Sequence, residues 1–244
     1  MVPTSDDFDA ALYALRTEDG QSADALRQQH ERNSFWYEGF LRPWLPADRT
    51  SRMIDVPCGT GNLLYALRRM GYKAVTGVDS DPHQVALAQQ LGLPAILGDA
   101  FAALDACPAD SVDRVFSLDF LEHLDPRRAV EFVRLAHSKL IPGGFLLCRT
   151  PSSDGPFGSH DRHNDLTHRW AMTANSAFTF MRIAGFKTAS VSVRQEAPVP
   201  YKVTNLVRRA LFRSSTVLLS LFLNAVGIGA PTIWTRSMWV IAQK

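Results

Sequence analysis

The sequence predicts an α/β fold in which a mostly parallel sheet carries helices on both faces. Short apolar runs alternate with helix-like segments over residues 53–149, and this alternation is typical of βαβ units. A tight turn, Gly59-Thr60-Gly61, leads from the first run into a helix, as in nucleotide-binding folds. Acidic residues follow later strands, and right-handed crossovers bring those strand ends to one edge of the sheet. The ligand site is therefore expected at that edge.

The N-terminal segment is predicted to be a helical cap over residues 1–50. Apolar residues recur at helical spacing over residues 6–16 and 22–45. The second helix is rich in aromatic residues, and two interpretations stay open. It packs onto the sheet, or it covers a bound cofactor and offers the hydroxyl of Tyr37 to it.

The core is predicted to comprise residues 51–196 and 236–244. Its strands are expected at 53–56, 74–78, 94–97, 112–118, 144–149, 187–194 and 238–242, and its helices at 62–70, 82–91, 126–139 and 173–184. Gly185 is placed to end the last of these helices. Residues 152–169 are predicted to form a polar loop, and residues 197–235 form a basic and apolar helical insertion before the last strand.

Composition excludes several classes of protein. A hydrophobic content of 46% and a charged content of 20% indicate a globular chain rather than a disordered one. The net charge of +2 is too small to favour nucleic acid as a partner. Cys58, Cys107 and Cys148 form no close pair, which favours a reducing cytoplasm without structural zinc. The N-terminus lacks a signal-peptide pattern, and the longest apolar run is too short to span a bilayer.

The glycine turn favours a small anionic ligand group over a pyrophosphate. Leu64 occupies the position where a dinucleotide fingerprint requires its third glycine. The start of the new helix still offers backbone N–H groups to an anion such as an amino-acid carboxylate. Two acids extend the site. Asp79 ends the second strand, where it suits a ribose diol, and helix capping is better assigned to Ser80 or Asp81. Asp99 follows the third strand, although alone it would indicate an ordinary turn.

Taken together, these segments resemble the class I S-adenosylmethionine-dependent methyltransferases, which have a Rossmann-like seven-stranded sheet. The motifs that carry the resemblance are DVPCGTGN, GVDSDP, LGDAF, VDRVFSLDFLEHL and LIPGGFLLCRTP. The resemblance implies S-adenosylmethionine as cofactor. It also implies a set of cofactor-binding residues: Asp55, Pro57, Gly59, Gly61, Asp79, Ser80, Asp99, Ala100, Asp119 and Leu121. Tyr37 joins this set through the interpretation of the aromatic helix as a cover over the cofactor. Pro57 departs from the family, which more often has glycine, and removes one backbone donor.

Within this set the resemblance implies a role for each part. Asp55 and the two glycines shape the methionine end, and Asp79 holds the ribose. Asp99 and Ala100 face the adenine, while Asp119 and Leu121 lie beside the methionine moiety.

The acceptor is predicted to be a hydroxyl group of a sugar or glycan, lipid-linked or nucleotide-linked. An alcohol nucleophile needs a base, and histidine is the usual one near neutral pH. The candidate catalytic residues are His123, His163 and His168. The tract from residue 150 to 186 resembles methyltransferases of bacterial polysaccharide and O-antigen biosynthesis. Its His and Asp spacing matches no standard ligand pattern, so no metal is predicted.

Other functions remain open at this point. The chain would alternatively be a small-molecule O-, N- or C-methyltransferase of secondary metabolism, or a methyltransferase fold without catalysis. For the insertion, three arginines ahead of an apolar run suit the inner face of a membrane. A helix that covers the substrate pocket or forms a homodimer is the alternative. The expected location is the cytoplasm, with peripheral membrane contact.

Overall fold

Seven strands form one mixed sheet in the computed structural model, which describes residues 22–155, 158–199 and 202–244. The strands are β1 (Met53–Asp55), β2 (Val75–Asp79), β3 (Ala95–Leu97), β4 (Val112–Leu118), β5 (Leu140–Pro151), β6 (Val191–Gln195) and β7 (Ser237–Gln243). Their order is β3-β2-β1-β4-β5-β7-β6. β1 to β5 pair in parallel, whereas β7 is antiparallel to β5 and β6. The predicted seven-stranded Rossmann-like fold is confirmed.

The described helices are α1 (Ala23–Leu41), α2 (Asn62–Arg69), α3 (Pro82–Gln90), α4 (Ala100–Asp105), α5 (Pro126–Lys139), α6 (Gly158–Asn164), α7 (Ala174–Ala184) and α8 (Val203–Ala225). Gly185 ends α7 with φ 114°, as predicted. The helix predicted over residues 6–16 lies outside the described residues. α4 was not predicted, because it is a short helix of about one and a half turns. α6 was predicted as a loop, because its residues are polar.

Helices cover both faces of the sheet, as the sequence predicts. On one face, α5 and α7 bury side chains such as Phe132 and Met181. On the other, α1 and α2 bury Leu41 and Leu67 against Trp239 of β7. Phe40 also lies on this tryptophan, with ring centroids 5.1 Å apart. The aromatic N-terminal helix therefore packs onto the sheet, and α8 supplies the predicted helical insertion before the last strand.

A glycine on β2 makes room for Leu64 on α2. Leu64 is fully buried, although its position is the one that a dinucleotide-binding fold keeps as glycine. A Cβ atom added at Gly77 would lie 2.5 Å from Leu64 Cδ1 and 2.7 Å from Cys58 Cβ. Close packing of helix on strand is thus achieved with the small residue on the strand instead of the helix.

Substituting Gly77→Ala is expected to destabilise the fold by about 1–3 kcal/mol, since the core around it has no space for a methyl group. Chemical denaturation measures this change. Leu64→Ala alone should cost about 2–5 kcal/mol. The double variant should lose less than the sum of the two single losses, because Leu64→Ala removes one of the clashing atoms. Additive effects of the two substitutions would contradict this packing.

Candidate active site

The loop after β1 exposes backbone where β1 meets α2. Gly59 and Gly61 have φ of 53° and 81°, a region that residues with a side chain rarely adopt. A Cβ at Gly61 would also lie 2.6 Å from Leu93 Cδ1. The N–H groups of the two glycines donate to Asp79 Oδ2 and to the carbonyl oxygen of Cys58. Because the loop carries no side chain at these two points, a ligand can approach the N-terminus of α2.

A buried histidine of α1 fixes this loop from behind. His30 is 1% exposed, and its Nε2 donates to the carbonyl oxygen of Thr60 at 2.9 Å, since a carbonyl only accepts. Burial lowers the pKa of His30, which keeps the ring neutral. The sequence analysis did not identify this residue, because its partner lies thirty positions away.

A cavity of about 800 Å³ opens beside the loop, a volume suited to a small ligand. Eight of the predicted site residues line it: Tyr37, Asp55, Pro57, Gly59, Asp79, Ser80, Asp119 and His123. Gly61 lies next to the cavity as the residue before α2. The carboxyl ends of β1, β2 and β4 therefore contribute to one site, as the parallel sheet predicts.

Asp79 holds the glycine loop by a hydrogen bond and can accept further hydrogen bonds from a ligand. Its Oδ2 accepts from Gly59 N at 2.7 Å and its Oδ1 from Asp81 N at 2.9 Å. Capping of α3 falls to Asp81, whose Oδ1 accepts from His83 N at 2.8 Å, as the sequence analysis expected. Each carboxylate oxygen of Asp79 can accept more than one hydrogen bond. Both oxygens can therefore also accept from the two hydroxyl groups of a ribose. Burial raises the pKa of Asp79.

Asp55 presents a buried acceptor to the cavity. It is 1% exposed, and its Oδ1 has no hydrogen-bond partner among the described residues. Burial and the nearby Asp79 raise the pKa of this carboxyl well above its usual range. An unpaired buried acceptor is costly, so a ligand that carries an ammonium group would fit beside it.

An ion pair spans the floor of the cavity between β4 and β5. Asp119 has φ 51°, a strained value of the kind that clusters at functional sites. Its Oδ1 accepts from Arg149 Nε at 2.9 Å, and its Oδ2 accepts from a second guanidinium nitrogen. Arg149 also lies 3.5 Å from the Tyr37 hydroxyl and 3.6 Å from Glu196 Oε1. The sequence analysis missed Arg149 and Glu196, although Arg149 is the one charged residue of the predicted strand 144–149.

A second cavity, of about 550 Å³, adjoins the first. Its lining includes Asp119, Glu122, His123, Pro151, Asn164, Asp165, His168, Glu196, Arg236 and Ser237. Asp119 and His123 line both cavities. Two molecules bound side by side would therefore meet at these two residues.

Thr167 sets the tautomer of His123. The Thr167 hydroxyl lies 2.6 Å from Asp165 Oδ1 and 2.8 Å from His123 Nδ1. Its single proton goes to the carboxylate, which is the stronger acceptor. His123 Nδ1 must then donate to the hydroxyl oxygen, and Nε2 carries the lone pair. The same arrangement fixes the orientation of the ring.

Glu122 is a buried acid at the back of the second cavity. It is 1% exposed, and within the described residues neither carboxylate oxygen makes a hydrogen bond of standard geometry. The Thr150 side chain lies close enough to oppose part of the rise in the pKa of Glu122. His168 Nε2 lies 4.0 Å from its Oε1. Burial, together with the charge of Asp119, raises the pKa of Glu122 to about 8.

Four predicted residues do not line either cavity, and their predicted roles stay predictions. Asp99 caps α4 by accepting from Ala102 N at 2.9 Å, and neither it nor Ala100 is among the residues that line the two cavities. Leu121 is fully buried in the core beside α5, because its side chain points away from the cavity. His163 is exposed on α6 and is not among the residues that line the two cavities.

Comparison with known proteins identifies relatives over most of the described chain. A family model described as a methyltransferase domain matches residues 28–189. A tRNA U34 carboxymethyltransferase of Azotobacter vinelandii is 30% identical over 150 residues, which are 57% of this chain and 46% of that protein. A trans-aconitate 2-methyltransferase of Mycobacterium tuberculosis is 32% identical over 123 residues, or 50% and 44% of the two chains. The chain spans about half the length of these curated relatives.

Solved structures share the fold. A SAM-dependent methyltransferase from Archaeoglobus fulgidus superposes with a TM-score of 0.62 at 19% identity, over 96% of this chain and 99% of that chain. Phosphoethanolamine N-methyltransferase 2 of Haemonchus contortus, in complex with S-adenosyl-L-methionine, gives a TM-score of 0.56 at 17% identity, over 93% and 60% of the two chains.

Proposed function

This chain belongs to the methyltransferase domain family, and from that premise we propose that it is an S-adenosylmethionine-dependent enzyme that methylates a hydroxyl group of a sugar or glycan. The observation that carries the proposal is the junction of the two cavities at Asp119 and His123. A methyl donor in the larger cavity and an acceptor in the smaller one would meet there. Alignment of two reactants in this way contributes roughly 7–11 kcal/mol to catalysis.

The larger cavity holds the cofactor, S-adenosylmethionine, which supplies a methyl group already activated on a sulfonium ion. Asp79 accepts hydrogen bonds from the ribose hydroxyls. Asp55 would face the ammonium group of the methionine moiety. The buried Oδ1 of Asp55 has no hydrogen-bond partner within the described residues, and the ammonium group would donate one to it. The N-terminus of α2, where Asn62 and Leu63 line the cavity, would offer backbone N–H groups to the carboxylate. Tyr37 closes the cavity beside Arg149.

The smaller cavity holds the acceptor. Its lining is rich in carboxylate, amide and guanidinium groups, such as Asn164, Glu196 and Arg236, which hydrogen-bond readily to the hydroxyl groups of a sugar. As oxygen attacks the methyl carbon, the acceptor hydroxyl loses its proton. His123 and His168, both predicted from the sequence as candidate bases, lie where this proton leaves.

A panel experiment tests the proposed function. Purified protein is titrated with S-adenosylmethionine by calorimetry, and is then incubated with labelled cofactor and separate nucleotide sugars, lipid-linked glycans, small organic acids and amines. We expect one cofactor per chain and a methyl label on a sugar oxygen. Label on an acid, an amine or a carbon instead would establish a small-molecule methyltransferase, as in the alternative reading. Cofactor binding without transfer to any acceptor class would favour a non-catalytic module.

A lipid-linked acceptor is supported by α8. Within the described residues, no helix has the length and apolar character needed to cross a bilayer. α8 nevertheless exposes large apolar side chains, including Val203, Leu211, Leu218 and Phe222. It also carries Arg208, Arg209 and Arg213, and no acid. A helix of this composition lies in the interface of an anionic membrane, so we propose that α8 attaches the enzyme peripherally to the inner face of the cell membrane.

Vesicle flotation tests the membrane contact. The triple variant Arg208→Gln, Arg209→Gln and Arg213→Gln should float with phosphatidylglycerol vesicles at least about tenfold less than the wild type, since each basic residue near the surface contributes about 1 kcal/mol. The matched control removes three exposed arginines from other helices, by Arg27→Gln, Arg32→Gln and Arg68→Gln. Equal loss in both triples, or unchanged flotation without residues 203–229, would contradict the proposal and favour a dimer interface.

A further inference from the structure

We propose that Glu122, His123 and His168 bind a divalent transition-metal cation at the back of the acceptor cavity. Two histidines and one carboxylate form a common ligand set for zinc and for iron(II) sites that keep open positions. The sequence spacing of these residues predicts no metal. The fold nevertheless places Glu122 and His123 after β4 beside His168 of the tract that follows β5.

The distances between the three residues suit a shared cation. One ligand atom from each lies within 4.8 Å of the other two. Ligands about 2.0–2.2 Å from one metal ion lie roughly 3–4 Å from each other, so the three side chains need to move inward by less than about 1 Å. The ring centroids of the two histidines are 4.8 Å apart, which leaves them in contact with each other before any such movement.

Glu122 provides an independent observation. A carboxylate that is almost completely buried normally accepts several hydrogen bonds, yet in the described part of the chain neither oxygen of Glu122 makes one of standard geometry, and the nearby Thr150 side chain only partly compensates them. Glu122 is among the residues that line the second cavity. A cation bound there would compensate both oxygens at once.

The surroundings of His123 match those of a metal ligand. Histidine ligands usually donate their second ring nitrogen to a hydroxyl, carbonyl or carboxylate, which orients the ring. Here Nδ1 donates to Thr167 Oγ1, and Thr167 in turn donates to Asp165 Oδ1. The lone pair of His123 is thereby assigned to Nε2. Asp165 Oδ2 also lies 3.6 Å from His168 Nε2, the nitrogen that faces Glu122, so this carboxylate adds negative charge beside the proposed site.

The cation would also activate the acceptor hydroxyl. This role rests on the proposed function, whereas the existence of the metal site does not. A divalent cation binds the acceptor hydroxyl at an open position and lowers its pKa. The oxygen then forms its bond to the methyl carbon as the bond from that carbon to sulfur breaks, and the proton leaves to Asp165 or to solvent. The two histidines act as ligands in this scheme rather than as free bases. Imidazole ligands favour Zn²⁺ or Fe²⁺ over Mn²⁺ and Mg²⁺.

Metal titration tests the proposal without an acceptor. Full-length protein stripped with a chelator is titrated with ZnCl₂, MnCl₂ and MgCl₂ by calorimetry, and elemental analysis of untreated protein gives the metal content. We expect one Zn²⁺ per chain, weaker Mn²⁺ binding and no tight Mg²⁺ binding. Glu122→Gln and His168→Ala should each weaken Zn²⁺ binding by at least about 100-fold. His83→Ala, which removes an exposed histidine from α3, should leave it unchanged.

The outcomes separate this proposal from the proposed function. Circular dichroism and binding of S-adenosylhomocysteine confirm that each variant is folded. No stoichiometric Zn²⁺ in the wild type, or Zn²⁺ binding that survives both Glu122→Gln and His168→Ala, would overturn the metal site even if the cofactor binds. Zn²⁺ binding that depends on these residues in a protein that does not bind S-adenosylhomocysteine would support the metal site and overturn the proposed function.

Discussion

Asp79→Ala is expected to weaken the binding of S-adenosylmethionine by at least about 100-fold. The carboxylate would give two charge-assisted hydrogen bonds to the ribose, and each contributes about 1.5–3 kcal/mol. It also holds the glycine loop, since Gly59 N donates to its Oδ2. Loss of the ribose hydrogen bonds and loss of the hold on the glycine loop both weaken binding in the same cavity. Calorimetric titration of the wild type and the variant with S-adenosylmethionine measures the change.

Asp113→Ala is the matched control for this prediction. Asp113 also accepts from a backbone N–H, that of Arg52, at 2.9 Å. It stands at the beginning of β4, at the edge of the sheet opposite the cavity. Its removal should lower stability by about 1 kcal/mol and leave cofactor affinity within about threefold of the wild type. Retained affinity in Asp79→Ala, or equal loss in both variants, would refute the assigned role of Asp79.

The succession of strands and helices along the chain, and the sheet edge at which the cavity opens, were predictable because their signals are local. The alternation of apolar runs and helices gives the core, and the glycine turn with Asp55 and Asp79 marks the strand ends that meet at one edge. Each of these residues is positioned by the few residues next to it. Strand boundaries moved by a few residues, as at β5, which begins at Leu140, because pairing with neighbours extends a strand beyond its apolar run.

Residues whose role depends on distant partners were not predictable in this way. Arg149 meets Asp119 thirty positions away, and Glu196 comes close only because β6 and β7 close the sheet beside β5. Glu122 was not predicted, because a single acid after a strand belongs to no sequence pattern that would distinguish it. His30 likewise reaches the loop only through the packing of α1.

The N-terminal helix α1 packs onto the sheet and also lines the cofactor cavity, so each of the two interpretations applies in part. α1 packs on the sheet through Leu41 and the rings around Trp239, as the first reading states. The same helix brings Tyr37 to the wall of the cofactor cavity, with its hydroxyl near Arg149. Burial raises the pKa of Tyr37 to about 12, so the phenol stays protonated as a hydrogen-bond donor. Whether that donor serves the cofactor stays a prediction.

His123→Ala is expected to slow methyl transfer by about 100-fold to 10,000-fold, the range associated with loss of the group that activates a nucleophile. Because Asp55 and Asp79 remain in place, affinity for S-adenosylmethionine should stay within about threefold. Single-turnover transfer to the sugar acceptor that the panel identifies measures the first quantity, and calorimetry measures the second. A variant that loses affinity and rate together would place His123 in cofactor binding instead.

His163→Ala is the control histidine for the rate, since His163 belongs to the same tract but is exposed on α6. It should transfer methyl groups at the rate of the wild type. His168→Ala and the double variant then distinguish two ways of activating the acceptor. If both histidines hold one cation, each single loss removes it, and the double variant should be hardly slower than either single variant. If His123 acts alone as a base, His168→Ala should have a much smaller effect, and the two losses should multiply.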